Sequence, residues 1–213
     1  MAGVLHHLGV DMGAPFYGGY YESEWLSKQL RKWWNEPHLE EKVGQAKRVR
    51  VLAEWIQERE QRGAKWAGMK HPLLSLCGED LVQAWGEETR FIRCNRPLDD
   101  SIESLKRLGG RVDSEFVQRT LLAELDRFFA GRQHLQVEFA DMMNRPGRQI
   151  ERILEYLQIE PYGDKLASAV QFVEPGKKGK VEAEQKAARQ ATSRFAPRAL
   201  LKALRKAIPH REK

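Results

Sequence analysis

The sequence predicts an α/β fold, helix-rich, with a short parallel sheet flanked by helices. Three observations carry that expectation. Short runs of strand-forming residues alternate with segments whose apolar residues recur at helical spacing. Hydrophobic residues make up 41% of 213 positions, enough for a sizeable core. No internal repeat or low-complexity run interrupts the alternation.

Each element has its own warrant. Ala2 to Leu8 is apolar with a helical rhythm and opens at Met1 with no capping residue before it. A loop with Gly13, Pro15, Gly18 and Gly19 follows, then a helix from Ser23 to Trp34 with Trp25, Leu26, Leu30, Trp33 and Trp34 near helical spacing. A second helix is expected from Leu39 to Glu58, where Val43, Ala46, Val49, Leu52, Ala53 and Ile56 make one apolar face. Lys65 to Lys70 reads as a short strand and Leu73 to Trp85 as a helix. Arg90 to Cys94 is the next strand, followed by helices over Asp99 to Leu108 and Ser114 to Phe129. A strand over His134 to Phe139 and a helix over Arg148 to Leu157 complete the body.

The charge separates along the chain. The net is +6, yet residues 176–213 hold 12 Lys and Arg against 3 Asp and Glu, a net of +9, leaving 24 against 27, a net of −3, for residues 1–175. The division predicts an α/β domain over 1–175 and a basic helical tail over 176–213. In the tail, Val181 to Ala191 and Pro197 to Ala207 read as helices. The second, with Leu200, Leu201, Leu204 and Ile208 on one side, suits either packing on the body or an acidic surface such as nucleic acid.

Cys77 and Cys94 form no disulfide framework and lack zinc-site spacing, so the expected setting is reducing and cytoplasmic. No apolar run approaches the roughly 20 residues of a transmembrane helix, and no signal-peptide pattern opens the chain. No cluster of side chains demands a metal.

Ligands of parallel α/β sheets bind beyond the carboxyl ends of the strands, which singles out two places. Lys70-His71-Pro72 follows the Trp66 segment, with Pro72 opening a helix. An ammonium and an imidazole there suit a phosphate or sulfuryl group, although a solvated Lys and a packed His explain the same residues. Arg93 to Ser104 follows the next strand. Arg96 leaves it, Pro97 turns the chain, Asp99 or Asp100 caps a helix, and Ser104 stands eight residues beyond Arg96. A guanidinium fork and a hydroxyl make a clamp for a phosphate monoester, to which Arg107 can add charge.

Arg96-Pro97-x-Asp99 with Ser104, after Phe91-Ile92, resembles the 3′-phosphate-binding segment of cytosolic and bacterial sulfotransferases, which use 3′-phosphoadenosine-5′-phosphosulfate (PAPS). Three further stretches are similar to family elements. They are Leu5 to Gly13, Gly19-Tyr20-Tyr21-Glu22 and Gly68-Met69-Lys70-His71-Pro72. Val137 to Pro146, with Ile153 to Ile159, resembles the family's later strand end and helix. The resemblance spans Met1 to Pro161.

It implies a three-layer P-loop-type fold and sulfuryl transfer from PAPS to a hydroxyl of a small molecule or glycan, without a metal. Arg96 and Ser104 would hold the 3′-phosphate, Lys70 would be the electrophilic partner, and Glu22 or His71 the base, with Glu22 slightly favoured. Tyr17, Tyr20, Tyr21 and Trp25 would line the acceptor pocket, against core packing for Trp25. Family members place a strand and a phosphosulfate-binding loop ahead of the segment that here begins at Met1. The expectation is therefore a truncated or inactive member, or a relative that binds adenosine bisphosphate without turnover.

Overall fold

A computed structural model of the chain describes residues 1–17, 21–35, 38–107, 114–160 and 163–173. Internal contacts divide the chain into Met1–Pro175 and Gly176–Lys213. The second unit lies outside the described residues, and with it the two expected tail helices.

Helix α1 (Ala2–His7) buries Ala2, Gly3 and Val4. The chain then turns into a short antiparallel pair, β1 (Phe16–Tyr17) with β2 (Glu22–Ser23), in which Tyr17 lies opposite Glu22. Ser23 ends β2 and caps α2 (Glu24–Trp33), its hydroxyl accepting from the Leu26 N–H at 3.4 Å. Leu26, Leu30 and Trp33 fall on one face and are buried. Each such side chain contributes about 2 kcal/mol of burial.

The expected helix over Leu39 to Glu58 begins later. Trp34–Asn35 (β3) pairs antiparallel with Glu40–Glu41 (β4), and α3 runs Gln45–Gln61. Its buried face also differs from the expected apolar one. Arg48, Leu52, Trp55 and Arg59 are buried, while Ala46 is exposed. Burial of Arg48 is compensated by carboxylate partners outside the helix. Arg48 Nε donates to Asp80 at 2.6 Å and Nη1 to Glu41 at 2.6 Å, and the Arg48 guanidinium lies 5.0 Å from the centre of the Trp34 ring. The helix expected over Leu73 to Trp85 is two pieces, a 3-10 turn (Pro72–Leu76) and α4 (Gly78–Trp85). Leu26, Leu30, Trp33, Leu52, Leu73, Cys77 and Leu81 share one core with Leu121.

The parallel sheet consists of β5 (Ile92–Asn95) and a later strand joined by two helices, α5 (Leu98–Arg107) and α6 (Ser114–Phe129). That strand, β6 (Leu135–Glu138), pairs with β5 in parallel, Ile92 opposite Leu135 and Asn95 opposite Glu138. Phe139, expected to end the strand, instead starts α7 (Phe139–Asn144). Helix α8 (Pro146–Leu157) follows, then α9 (Lys165–Val173), which sequence periodicity did not single out. Val137, Ile150, Ile153, Leu154, Leu157, Ala169 and Val173 form a second core with Val4 and Leu8. Among the described residues the arrangement is therefore helix-rich α/β with a two-stranded parallel sheet. No helix among them is long and apolar enough to cross a membrane.

Lys65 to Lys70 is not a strand. It makes one parallel bridge, Ala67 with Asp11, through Asp11 N–H to Trp66 O and Gly68 N–H to Asp11 O, both 2.9 Å. Gly68 permits the contact, because a Cβ there would stand 3.2 Å from Val10 Cγ1 and 3.3 Å from Met12 Sδ.

Candidate functional site

That bridge brings two distant segments to one place. Gly13, at φ +76, brings the Val10–Gly13 stretch against Ser23, where an added Cβ would lie 3.2 Å from the Ser23 hydroxyl. Glu22 precedes Ser23, and Lys70 follows Gly68. Tyr21, just before Glu22, is buried with φ +54, a backbone state that costs a non-glycine residue about 1 kcal/mol or more. Its ring is enclosed by His6, Phe16 and Phe172 at centroid distances of 5.1, 5.2 and 5.4 Å. Packing of this ring holds Glu22 in position.

Glu22, Lys70 and His71 form one cluster. The Lys70 ammonium is ion-paired with Glu22 Oε1, and His71 Nε2 stands 4.0 Å from Glu22 Oε2. Glu22 and His71 side chains are largely buried, at 15% and 11% exposure, whereas Lys70 is 44% exposed. His71 caps the 3-10 turn, its Nδ1 accepting from the Leu73 N–H at 3.2 Å. That bond assigns the neutral tautomer, with the proton on Nε2, facing Glu22. Burial pushes the His71 pKa down to about 4; Glu22 opposes the shift, while Lys70 and Arg31 add to it. His71 is accordingly a neutral N–H donor at pH 7, and Glu22 is the group that offers lone pairs.

The second predicted pair sits at the end of β5. Although Cys94 is exposed as a residue, protein density around its thiol pushes the pKa up, against the pull of the N-terminal ammonium and Lys70. The Arg96 guanidinium lies 4.9 Å from the centre of the Phe139 ring, and its nearest carboxylate, Asp100, is 4.0 Å away, beyond hydrogen-bonding distance. Arg96 makes no hydrogen bond among the described residues, and its ion pair with Asp100 is a long one. Ser104 is half-buried on the second turn of α5. The side chain of Arg107 lies outside the described residues.

Of the aromatic residues expected around an acceptor, Trp25 packs. It stacks on Trp55 at 6.4 Å, which in turn stacks on Trp85 at 5.7 Å. Tyr21 is buried in the ring cluster described above. Gly19, Tyr20 and the Tyr17 side chain lie outside the described residues.

Sequence reasoning missed the buried Arg59 and its ion pair with the partly exposed Asp11, 3.8 Å away, at the bridge segment. Its signal was present as an arginine at helical spacing from Leu52 and Trp55. Among the described residues no group of three or more His, Cys, Asp or Glu is placed to hold a metal ion. Compared with family models, characterised proteins and solved structures, the chain matches none.

Proposed function

We propose that the protein is a sulfotransferase-like enzyme of the P-loop type, acting in the cytoplasm, that transfers a sulfuryl group from PAPS to a hydroxyl of a small molecule or glycan. The observation that supports this reading is the convergence of Glu22, Lys70 and His71 from two segments 48 residues apart. PAPS supplies the sulfuryl group and leaves as adenosine bisphosphate.

Glu22 takes the proton of the acceptor hydroxyl, since its carboxylate is the acceptor of the cluster. His71 donates its Nε2–H and orients either the carboxylate or the attacking oxygen. Lys70 supplies the cation that stabilises charge moving onto the leaving phosphate. Arg96, held only by the Phe139 ring and a long ion pair to Asp100, and Ser104 suit the 3′-phosphate.

The Lys70–Glu22 ion pair also favours a second reading, adenosine-bisphosphate binding without turnover, because Lys70 must loosen from Glu22 to serve a leaving oxygen. Release of adenosine bisphosphate from PAPS, followed with phenolic and sugar acceptors, separates the two. The enzyme reading expects release that Glu22→Gln lowers by about 10²- to 10⁴-fold at unchanged nucleotide affinity. An equal rate in the variant removes Glu22 as base, and binding without release selects the second reading.

A further inference from the structure

We propose that Phe139 is the positioning residue for Arg96, holding its guanidinium at the carboxyl end of the parallel sheet by cation–π attraction, so that phosphate affinity depends on this ring. The inference rests on the assignment of Arg96 to the 3′-phosphate and adds the side chain that places the charge.

Sheet register brings the two residues together. Asn95 and Glu138 are the last paired residues of β5 and β6, so Arg96 and Phe139 are the next residue along each chain, at the same end of the sheet. Pro97 biases Arg96 to extended backbone, which continues the line of β5. On the other strand the chain turns into α7 at Phe139. The Arg96 Cζ lies over the Phe139 ring, 4.9 Å from its centre. This contact gives an occupation to a ring that the cores leave outside. Phe139 is 41% exposed, an exposed large apolar side chain like Phe116 and Leu122, and among the described residues its aromatic contact is with the guanidinium.

Arg96 differs from other arginines placed over rings. Arg48, Arg90, Arg93 and Arg132 are so placed, and each is also tied by hydrogen bonds, to Asp80, Tyr156 O, Asp126 and Glu79 respectively. Arg96 makes none among the described residues, and its i,i+4 ion pair with the exposed Asp100 spans 4.0 Å, a contact that orients weakly. A long side chain ordered only when a ligand arrives costs affinity. The ring orders it beforehand. Attraction to a ring quadrupole is not a hydrogen bond, so this hold competes with no phosphate oxygen for the N–H groups.

The test pairs side-chain NMR with calorimetry of the full chain. Arg96 side-chain protons, identified by their loss in Arg96→Ala, are expected upfield of the ordinary arginine range through the ring current. They should move back in Phe139→Leu and stay shifted in Phe139→Tyr. With 3′,5′-adenosine bisphosphate, Phe139→Leu is expected to bind about two- to fivefold more weakly than wild type, the size of an exposed cation–π contact, and Phe139→Tyr about as tightly as wild type. Arg96→Ala/Phe139→Leu is expected to bind no more weakly than Arg96→Ala, because the ring acts through the guanidinium. Unshifted Arg96 resonances in wild type overturn the proposal. So does full affinity in Phe139→Leu, equal weakening by Leu and Tyr, or a further loss in the double variant, which would place the ring directly on the nucleotide. Absence of binding by wild type, or equal binding by Arg96→Ala, overturns the Arg96 assignment itself and the positioning role with it.

Discussion

His71 Nε2 faces one oxygen of the Glu22 carboxylate at 4.0 Å while Lys70 is ion-paired with the other. A single carboxylate therefore sits between a neutral N–H donor and an ammonium, with the imidazole kept neutral by burial. On the proposed reading this carboxylate receives the proton of the acceptor hydroxyl once Lys70 loosens from it.

The depressed His71 pKa carries a pH dependence of stability. Between 6.5 and about 4 the unfolded chain binds a proton at this residue that the folded chain does not. Stability from this source is full above pH 6.5, falls as pH drops toward 4 and is constant below, an amplitude of about 3 kcal/mol. His6 and His7 shift in the same direction, also through burial. Urea unfolding at pH 7 and pH 4.5 should show the loss, and His71→Asn, which keeps an acceptor for the Leu73 N–H, should show a smaller one. Identical pH slopes would remove His71 as the source.

Neighbouring charges should move His71 in opposite directions. Lys70→Met is expected to raise its pKa and Glu22→Gln to lower it, with both values remaining below 6.5 because burial dominates. Ring-proton NMR titration reads both shifts. Movement of both variants in one direction would mean that the cluster geometry is wrong.

The buried Arg48–Asp80 pair makes a stability prediction. Both residues are nearly inaccessible, at 5% and 2% exposure, so Arg48→Ala leaves the Asp80 charge alone in the core at a cost of about 3–5 kcal/mol. Arg48→Met/Asp80→Leu removes both charges and should recover most of that loss. Equilibrium denaturation of the two variants checks it, and a double variant no better than the single one would contradict it.

Gly3 tests the seat of α1 on α9. Alanine is the better helix former by about 1 kcal/mol, but a Cβ at this position would lie 2.3 Å from the Phe172 ring. Overpacking of this kind costs about 1–3 kcal/mol, so Gly3→Ala should destabilise the fold. A raised melting temperature would show that the ring yields freely.

The helices α2, α6 and α8 were legible from local sequence patterns, although α8 starts at Pro146, two residues before the expected Arg148. The face of α3 was not. A hydrophobic count discards Arg48 and Arg59, whose burial depends on Asp80, Glu41 and Asp11, all outside the helix. Phe139 continued the alternation of Leu135 and Val137 and so disguised the start of α7. Lys65 to Lys70 has strand composition but meets a neighbour at one residue pair, which no local pattern reveals. Glu22 and the Lys70-His71 pair were singled out in two separate stretches of the sequence. Their contact depends on the approach of Gly68 to Val10 and Met12, a tertiary fact.

The measurement that bears most directly on the proposed nucleotide site is calorimetry of the full chain with 3′,5′-adenosine bisphosphate, using wild type and Arg96→Ala. Binding that weakens by about tenfold or more in the variant is the predicted result, as expected for loss of a charge-assisted guanidinium–phosphate contact. No binding, or equal binding by both proteins, would contradict it.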